Sequence, residues 1–144
     1  EAAMLRLGGQ VISTEMAKEF SSHSKGESLE DSIKVIGAYA DVIAIRHHEI
    51  GAAKRAAMAS SVPVINAGDG AGQHPTQALL DLLTIRDNLE KMGKTDFAGL
   101  KVAICGDVLP SRVARSNMFL MKNLGMAVRL VGPPTVMPWV GEVR

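Results

Sequence analysis

The residues best suited to chemistry lie in one segment, residues 66–81, which reads Asn-Ala-Gly-Asp-Gly-Ala-Gly-Gln-His-Pro-Thr-Gln-Ala-Leu-Leu-Asp. His74 and Gln77 place an imidazole and a carboxamide on either side of Pro75. Proline is favoured at the first position of a helix, where free backbone N–H groups attract anions or a polarised oxygen. The glycines before it allow a tight turn or a close approach to a ligand. The same turn also occurs in α/β proteins where nothing binds, and neither GxGxxG nor a P-loop lysine is present.

Three cations occupy comparable positions in the chain. Lys25 lies in a polar loop, Arg46 follows an apolar run, and Arg112 opens a helical pattern. Because the carboxyl ends of parallel strands meet at one edge of a sheet, we expect Arg46, His74 and Arg112 on the same rim. Guanidinium groups bind phosphate or carboxylate oxygens bidentately, so this set predicts a substrate that carries such groups.

Acidic residues near these positions allow a plainer interpretation. The two arginines would be structural if they paired with Asp41 or Asp107. Asp69 and Asp81 are candidate general bases, although acids in loops and on helix surfaces are more often simply solvated.

The histidines and the cysteine do not predict a metal site or a nucleophile. His47 and His48 are adjacent, so on an extended strand they should point to opposite faces. His23 and His74 have no second ligand at metal-binding spacing. Cys105 lies in an apolar run without a nearby base, which predicts a buried, inert thiol. We therefore expect neither a metal nor another cofactor.

Strands and helices alternate around these residues. Short apolar runs predict strands at residues 42–45, 62–65, 102–105 and 128–131. Helical patterns lie between them, including one capped by Ser28 and one from Pro75 to about Met92. This alternation predicts an α/β fold, with parallel sheet that helices cover on both faces. The polar connector at residues 93–99 divides the chain into residues 1–74, a bridging helix at 75–92, and a second domain at 93–144.

Composition narrows the classes of partner. The 144 residues carry a net charge of +1, which gives no basic patch for nucleic acid. The longest uncharged run, residues 56–68, is too short and polar to span a bilayer. A single cysteine suits a reducing, cytoplasmic location. Because the sequence opens at Glu1 without an initiator methionine, we expect an internal part of a longer protein.

The segment 66–81 resembles the signature of aspartate carbamoyltransferase catalytic chains. The resemblance continues at Lys25-Gly26-Glu27-Ser28, at Ile45-Arg46-His47 and from Gly106 to Asn117, with the spacing kept throughout. The related ornithine carbamoyltransferases usually have cysteine where this chain has Thr76. The resemblance implies two α/β lobes and transfer of the carbamoyl group of carbamoyl phosphate to L-aspartate in pyrimidine biosynthesis, without a cofactor.

Residue roles carried over from the family follow from the matched motifs. Arg46 and His74 would hold the carbamoyl group, with His74 donating to its carbonyl oxygen. Gln77 would accept from the carbamoyl amide, and Arg112 would hold a carboxylate of aspartate. The resemblance also implies a homotrimer with shared active sites, to which regulatory or dihydroorotase-type subunits are attached in some members. Lys25, with Ser21 or Ser22, would reach into the neighbouring subunit's site.

The chain also departs from the family pattern. The family's Ser-Thr-Arg-Thr-Arg phosphate motif should precede Glu1, and its aspartate-binding loop should follow Arg144, so we expect this chain to be inactive alone. Pro110 replaces a common histidine and His48 a common proline, changes expected to tune activity. Two alternatives remain: a carbamoyltransferase for another amine such as ornithine, and a catalytically silent homologue acting as a scaffold or regulatory partner.

Overall fold

The computed structural model describes residues 1–13 and 26–137. Lys25, Ser21 and Ser22 therefore lie outside the described residues. In chain order the elements are α1 (Ala2–Arg6), α2 (Leu29–Gly37), β1 (Ile43–His47), α3 (Ala52–Ala59), β2 (Val64–Asp69), α4 (Pro75–Lys91), β3 (Lys101–Cys105), α5 (Arg112–Asn123), β4 (Ala127–Val131) and a 3-10 turn (Pro134–Val136). No helix in these ranges is both long and apolar enough to cross a membrane.

The strands form two parallel pairs, β1–β2 and β3–β4. In the first pair Ile43 lies opposite Val64, and the register shifts before His47 meets Asp69. The second pair is regular from Lys101 to Cys105. Each pair is joined by one helix, α3 or α5, as a parallel connection requires. The predicted α/β fold with parallel strands flanked by helices is confirmed.

The main core lies where α2 and α3 pack against β1. Its buried members are Leu29, Ile33, Ile43, Ala52 and Ala56. The two alanines of α3 are fully buried, which brings the helix backbone close to the sheet. At the start of α2, the Ser28 hydroxyl accepts a hydrogen bond from the Asp31 backbone N–H at 3.1 Å, so the predicted helix cap is confirmed. This core therefore joins α2 and α3 to Ile43, the first residue of β1.

The β3–β4 pair corrects two expectations. In β3 the burial alternates, with Lys101, Ala103 and Cys105 exposed and the residues between them half-buried. Helix α5 packs on β4, and within the described residues the opposite face of this pair is open. The expected coverage on both faces is therefore wrong here. The prediction of a buried Cys105 is wrong for the same reason, because its side chain lies on the open face.

Candidate active site

A glycine-rich loop follows β2 and holds the site together. Asp69 pairs with Gln73 across the loop, through a backbone hydrogen bond of 3.1 Å. The Gly70 N–H donates to the His47 carbonyl at 2.8 Å, which ties the loop to the end of β1. Gly70 has a φ of +51°, and a Cβ there would lie 2.6 Å from the His48 carbonyl oxygen. Only glycine fits this close approach between the ends of the two strands.

Asp69 anchors the loop to helix α3. Its carboxylate accepts from the backbone N–H groups of Gly51 at 3.0 Å and Ala53 at 3.3 Å. Gly51 is the N-cap and has no side chain to do this, so Asp69 caps α3 from a distance in sequence. Asp69 is 8% exposed. Its oxygens are thus committed to the fold, which favours a structural role over that of a general base.

His74 is the N-cap of α4, and hydrogen bonds fix its ring. Nδ1 accepts from the Gln77 backbone N–H at 3.4 Å and lies 3.3 Å from Thr76 Oγ1. The His74 backbone N–H donates to Ser116 Oγ at 2.8 Å. Because Nδ1 is an acceptor, this pattern assigns the proton of the neutral ring to Nε2. His74 can therefore donate a hydrogen bond through Nε2.

The surroundings of His74 keep its ring neutral. Burial lowers the pKa of His74 below its usual 6.5, and the positive charges of Arg112 and then Arg46 lower it further. The structure thus places Arg46 of β1 and Arg112 of α5 within electrostatic reach of His74, the N-cap of α4. Two cations and a neutral N–H donor suit an anionic substrate with a carbonyl oxygen to be polarised.

Arg112 packs across the loop from the first position of α5. The Ser111 hydroxyl caps this helix by accepting from the Ala114 N–H at 3.1 Å. Arg112 Nη1 donates to the Gly70 carbonyl at 2.9 Å. Gly68 has a φ of +130°, and a Cβ there would lie 3.3 Å from Arg112 Cζ and Nη1. The loop therefore positions the guanidinium, and no other residue in the described ranges is hydrogen-bonded to its remaining N–H groups.

The expected ion pairs of the arginines do not form within the described ranges. Arg46 is exposed on β1 and has no hydrogen-bonded or ion-paired partner there. Arg112 is bonded to a carbonyl rather than to a carboxylate. Neither Asp41 nor Asp107 pairs with either arginine, so the plainer structural interpretation is not supported.

Gln77 belongs to a polar chain between α4 and α5. Its Nε2 donates to Asp81 Oδ1 at 2.9 Å, and Asn117 Nδ2 donates to Asp81 Oδ2 at 2.6 Å. Both carboxylate oxygens of Asp81 thus accept from amides. Gln77 Oε1 is therefore the end of the amide that is not bonded to Asp81, and it has no hydrogen-bond partner among the described residues.

Three polar residues of α5 that the sequence did not single out individually complete the site. Arg115 donates to the Ala71 carbonyl at 3.2 Å, Ser116 accepts from the His74 N–H, and Asn117 holds Asp81. Ser116 and Asn117 are both buried. The available signal was the helical spacing, because Ser116 lies one turn after Arg112 and so shares its face.

The histidine pair differs from its prediction. The rings of His47 and His48 stack with centroids 4.4 Å apart instead of pointing to opposite faces. β1 ends at His47 and the chain bends there, so the strand alternation no longer applies. His47 Nδ1 accepts from the Glu49 N–H at 3.1 Å. Among the described residues no three His, Cys, Asp or Glu side chains gather as metal ligands.

A cleft of about 280 Å³ lies beside the site, between α4 and α5. Its lining is mainly apolar and carries no charged side chain, which makes it unsuited to a phosphate or dicarboxylate ligand. The lining residues are Gln73, Pro75, Ala78, Leu79, Ser116, Phe119, Leu120 and Asn123.

Comparisons with known proteins agree with this geometry. Residues 1–87 match the family described as "Aspartate/ornithine carbamoyltransferase, carbamoyl-P binding domain". The chain is 52% identical over 139 residues to the aspartate carbamoyltransferase catalytic subunit of Magnetococcus marinus. The aligned region covers 96% of this chain and 42% of the relative. The chain is 54% identical to the chloroplastic aspartate carbamoyltransferase 1 of Pisum sativum, covering 94% and 34%.

Solved structures give the same relationship. The aspartate transcarbamoylase of Trypanosoma cruzi in complex with carbamoyl phosphate and aspartate superposes with a TM-score of 0.83 at 38% identity, covering 99% of this chain and 45% of that one. The catalytic subunit from M. jannaschii gives 0.80 at 43% identity, covering 96% and 44%. The chain spans less than half the length of each of these relatives. It belongs to the aspartate/ornithine carbamoyltransferase family.

Proposed function

We propose that this chain is part of an aspartate carbamoyltransferase. The reaction transfers the carbamoyl group of carbamoyl phosphate to the amine of L-aspartate and yields N-carbamoyl-L-aspartate and phosphate. The observation that carries the proposal is the neutral His74, with its Nε2–H free to donate and its pKa lowered by burial, Arg112 and Arg46. The names of the relatives and the bound substrates of the T. cruzi enzyme support the same reaction.

The proposed mechanism is electrostatic. The aspartate amine attacks the carbamoyl carbon, the C–N bond forms, and negative charge develops on the carbonyl oxygen. His74 Nε2–H and the Arg46 guanidinium stabilise that charge, each contributing ~3 kcal/mol. The C–O bond to phosphate then breaks, and phosphate leaves with the electron pair and takes up the proton that the attacking amine loses. Alignment of the two substrates supplies much of the remaining acceleration.

The other side chains bind and orient the substrates. Gln77 Oε1 accepts from the carbamoyl NH₂, which fixes the plane of the group. Arg112 keeps one N–H on the Gly70 carbonyl and offers the rest to a carboxylate of aspartate. With Arg112 anchored by the loop, carbamoyl phosphate and aspartate meet at the carboxyl end of β2.

The whole assembly is also part of the proposal. Residues 1–74 belong to a carbamoyl-phosphate lobe, residues 75–92 form the interdomain helix, and residues 93–144 begin an aspartate lobe. We further propose a homotrimer in which Lys25, with Ser21 or Ser22, enters the neighbouring subunit's site, and to which regulatory or dihydroorotase-type subunits can attach.

The single cysteine favours a cytoplasmic location, with a plastid as the alternative because the pea relative is named chloroplastic.

The test uses the protein from the complete reading frame that contains this chain. Carbamoyl transfer is measured with aspartate and with ornithine, and His74→Ala should lower kcat with aspartate by about 10²–10³-fold. His48→Ala is the control at a second histidine, and it should change kcat far less than His74→Ala. Among the described residues the exposed His48 side chain contacts Glu49 and the ring of His47. Preference for ornithine would overturn the aspartate assignment. Binding of carbamoyl phosphate without product would indicate the silent homologue.

Mixing of inactive subunits tests the shared site. Lys25→Ala and His74→Ala subunits should each be inactive alone. Hybrid trimers should recover activity at about a third of their sites, because one interface then joins an intact lysine to an intact histidine. If the mixture stays inactive although hybrids form, Lys25 does not act across the interface.

A further inference from the structure

We propose that Asp81 is a positioning residue that turns the Gln77 carboxamide so that its oxygen, and not its nitrogen, faces the reacting carbamoyl group. This inference rests on the proposed function, because it assigns a task to Asp81 within the same site. Asp81 touches no substrate in this scheme and acts only through Gln77.

The orientation follows from hydrogen-bond chemistry. Asp81 lies one helical turn after Gln77 on α4, and its Oδ1 is 2.9 Å from Gln77 Nε2. A carboxylate can only accept, so it must receive the amide nitrogen. Rotation of the carboxamide by half a turn would place two acceptor oxygens against each other. Asp81 therefore selects one of the two orientations of Gln77.

Asn117 holds Asp81 in place from the neighbouring helix. Its Nδ2 donates to Asp81 Oδ2 at 2.6 Å, and Asn117 is only 7% exposed. In the described part of the chain, Asn117 Oδ1 is buried without a hydrogen-bond partner. A buried unpaired acceptor is unfavourable, and an apolar residue would avoid it. The hydrogen bond to Asp81 explains why a polar residue, Asn117, is buried between α4 and α5.

With its oxygen facing the substrate, Gln77 should favour an acyl phosphate that carries an NH₂ group over one that carries a methyl group. Gln77 Oε1 accepts a hydrogen bond from the NH₂ of carbamoyl phosphate, whereas acetyl phosphate has a methyl group there and donates none. A site built to pair with an N–H rejects the analogue that lacks it. If Asp81 sets the orientation, its loss should weaken carbamoyl phosphate binding and leave acetyl phosphate binding nearly unchanged.

The experiment measures dissociation constants for both acyl phosphates on the complete protein. Asp81→Asn keeps the side-chain shape but offers Gln77 both a donor and an acceptor, so both orientations become possible. The ratio of the acetyl phosphate to the carbamoyl phosphate constant should fall roughly five- to tenfold. The matched control is Asp87→Asn on the same helix, where Asp87 pairs with Arg86 at the surface, and the ratio should not change.

A double-mutant cycle separates positioning from packing. In a Gln77→Ala background, Asp81→Asn should cause no further fall in the ratio, since the group it orients is gone. The inference is overturned if Asp81→Asn lowers the affinity for both ligands equally. It is also overturned if the ratio of the two dissociation constants in Asp81→Asn equals that of the wild-type protein. Should Asp81→Asn fail to fold, Asn117→Ser decides: a ratio lowered about threefold supports the inference and an unchanged ratio overturns it. A wild-type protein that binds no carbamoyl phosphate would instead refute the proposed function.

Discussion

Gly68→Ala should disturb the substrate site from a residue that is not itself proposed to contact substrate. Gly68 lies in β2 at a φ of +130°, and an added Cβ would stand 3.3 Å from Arg112 Cζ and Nη1. The guanidinium must then move by a few tenths of an ångström. That movement acts on the 2.9 Å hydrogen bond from Arg112 to the Gly70 carbonyl.

Two costs add up in this variant. Backbone strain for a residue with a side chain at such a φ is about 1–3 kcal/mol. Displacement of Arg112 costs at most the net value of its hydrogen bond, about 0.5–1.5 kcal/mol. The second cost also lowers aspartate affinity, because Arg112 is proposed to hold a carboxylate of aspartate. The KM for aspartate should rise roughly two- to tenfold beyond any effect of strain alone.

Gly106→Ala is the matched control. Gly106 follows β3 with a φ of +126°, and nothing lies within 4 Å of an added Cβ. Both variants share the strain, and only Gly68→Ala meets Arg112. Urea unfolding and aspartate saturation curves should be measured on the two variants of the complete protein. The reasoning fails if they lose equal stability and have the same KM for aspartate.

Two further predictions concern His74 and Asp69. Burial, Arg112 and Arg46 lower the pKa of His74, so the midpoint of its NMR titration should lie below 6.5. Arg112→Gln should move that midpoint upward, because it removes one of the positive charges. A wild-type midpoint at 6.5, or a midpoint that Arg112→Gln leaves unchanged, would contradict this. Because the folded pKa is the lower one, the stability that His74 contributes is present above the unfolded pKa and is lost as the pH falls through the folded pKa. Asp69→Ala should lower the free energy of unfolding by about 2–3 kcal/mol, since two N–H groups at the start of α3 lose their acceptor. Asp41→Ala, at an exposed position, should cost under about 0.5 kcal/mol, and equal losses would refute the capping role of Asp69.

The sequence predicted the features that depend on neighbours along the chain. Ser28 and Ser111 cap the helices that follow them. Pro75 opens α4, which ends at Lys91, close to the predicted Met92. Apolar runs of strand length become the four described strands, paired in parallel. The caps and the helix bounds follow from interactions within about one helical turn, and each strand follows from the length and apolar composition of its own run.

Errors arose where a residue's environment comes from distant segments. Cys105 lies in an apolar strand, yet whether it is buried depends on what covers that face of the sheet. The stacking of His47 and His48 depends on where β1 ends, which the loop after β2 decides through the bond from Gly70 to the His47 carbonyl. Periodicity carries no information about either contact.

The sequence by itself determined the order of the elements, their caps and the segment that carries His74 and Gln77. Only the tertiary structure decided the chemical state of those two side chains. The ring of His74 is kept neutral by burial and by arginines from β1 and α5, and Gln77 is oriented by Asp81, which Asn117 holds from α5. The physical reason is that pKa values and amide orientations depend on charges and partners within a few ångströms. Those distances are set when the helices pack.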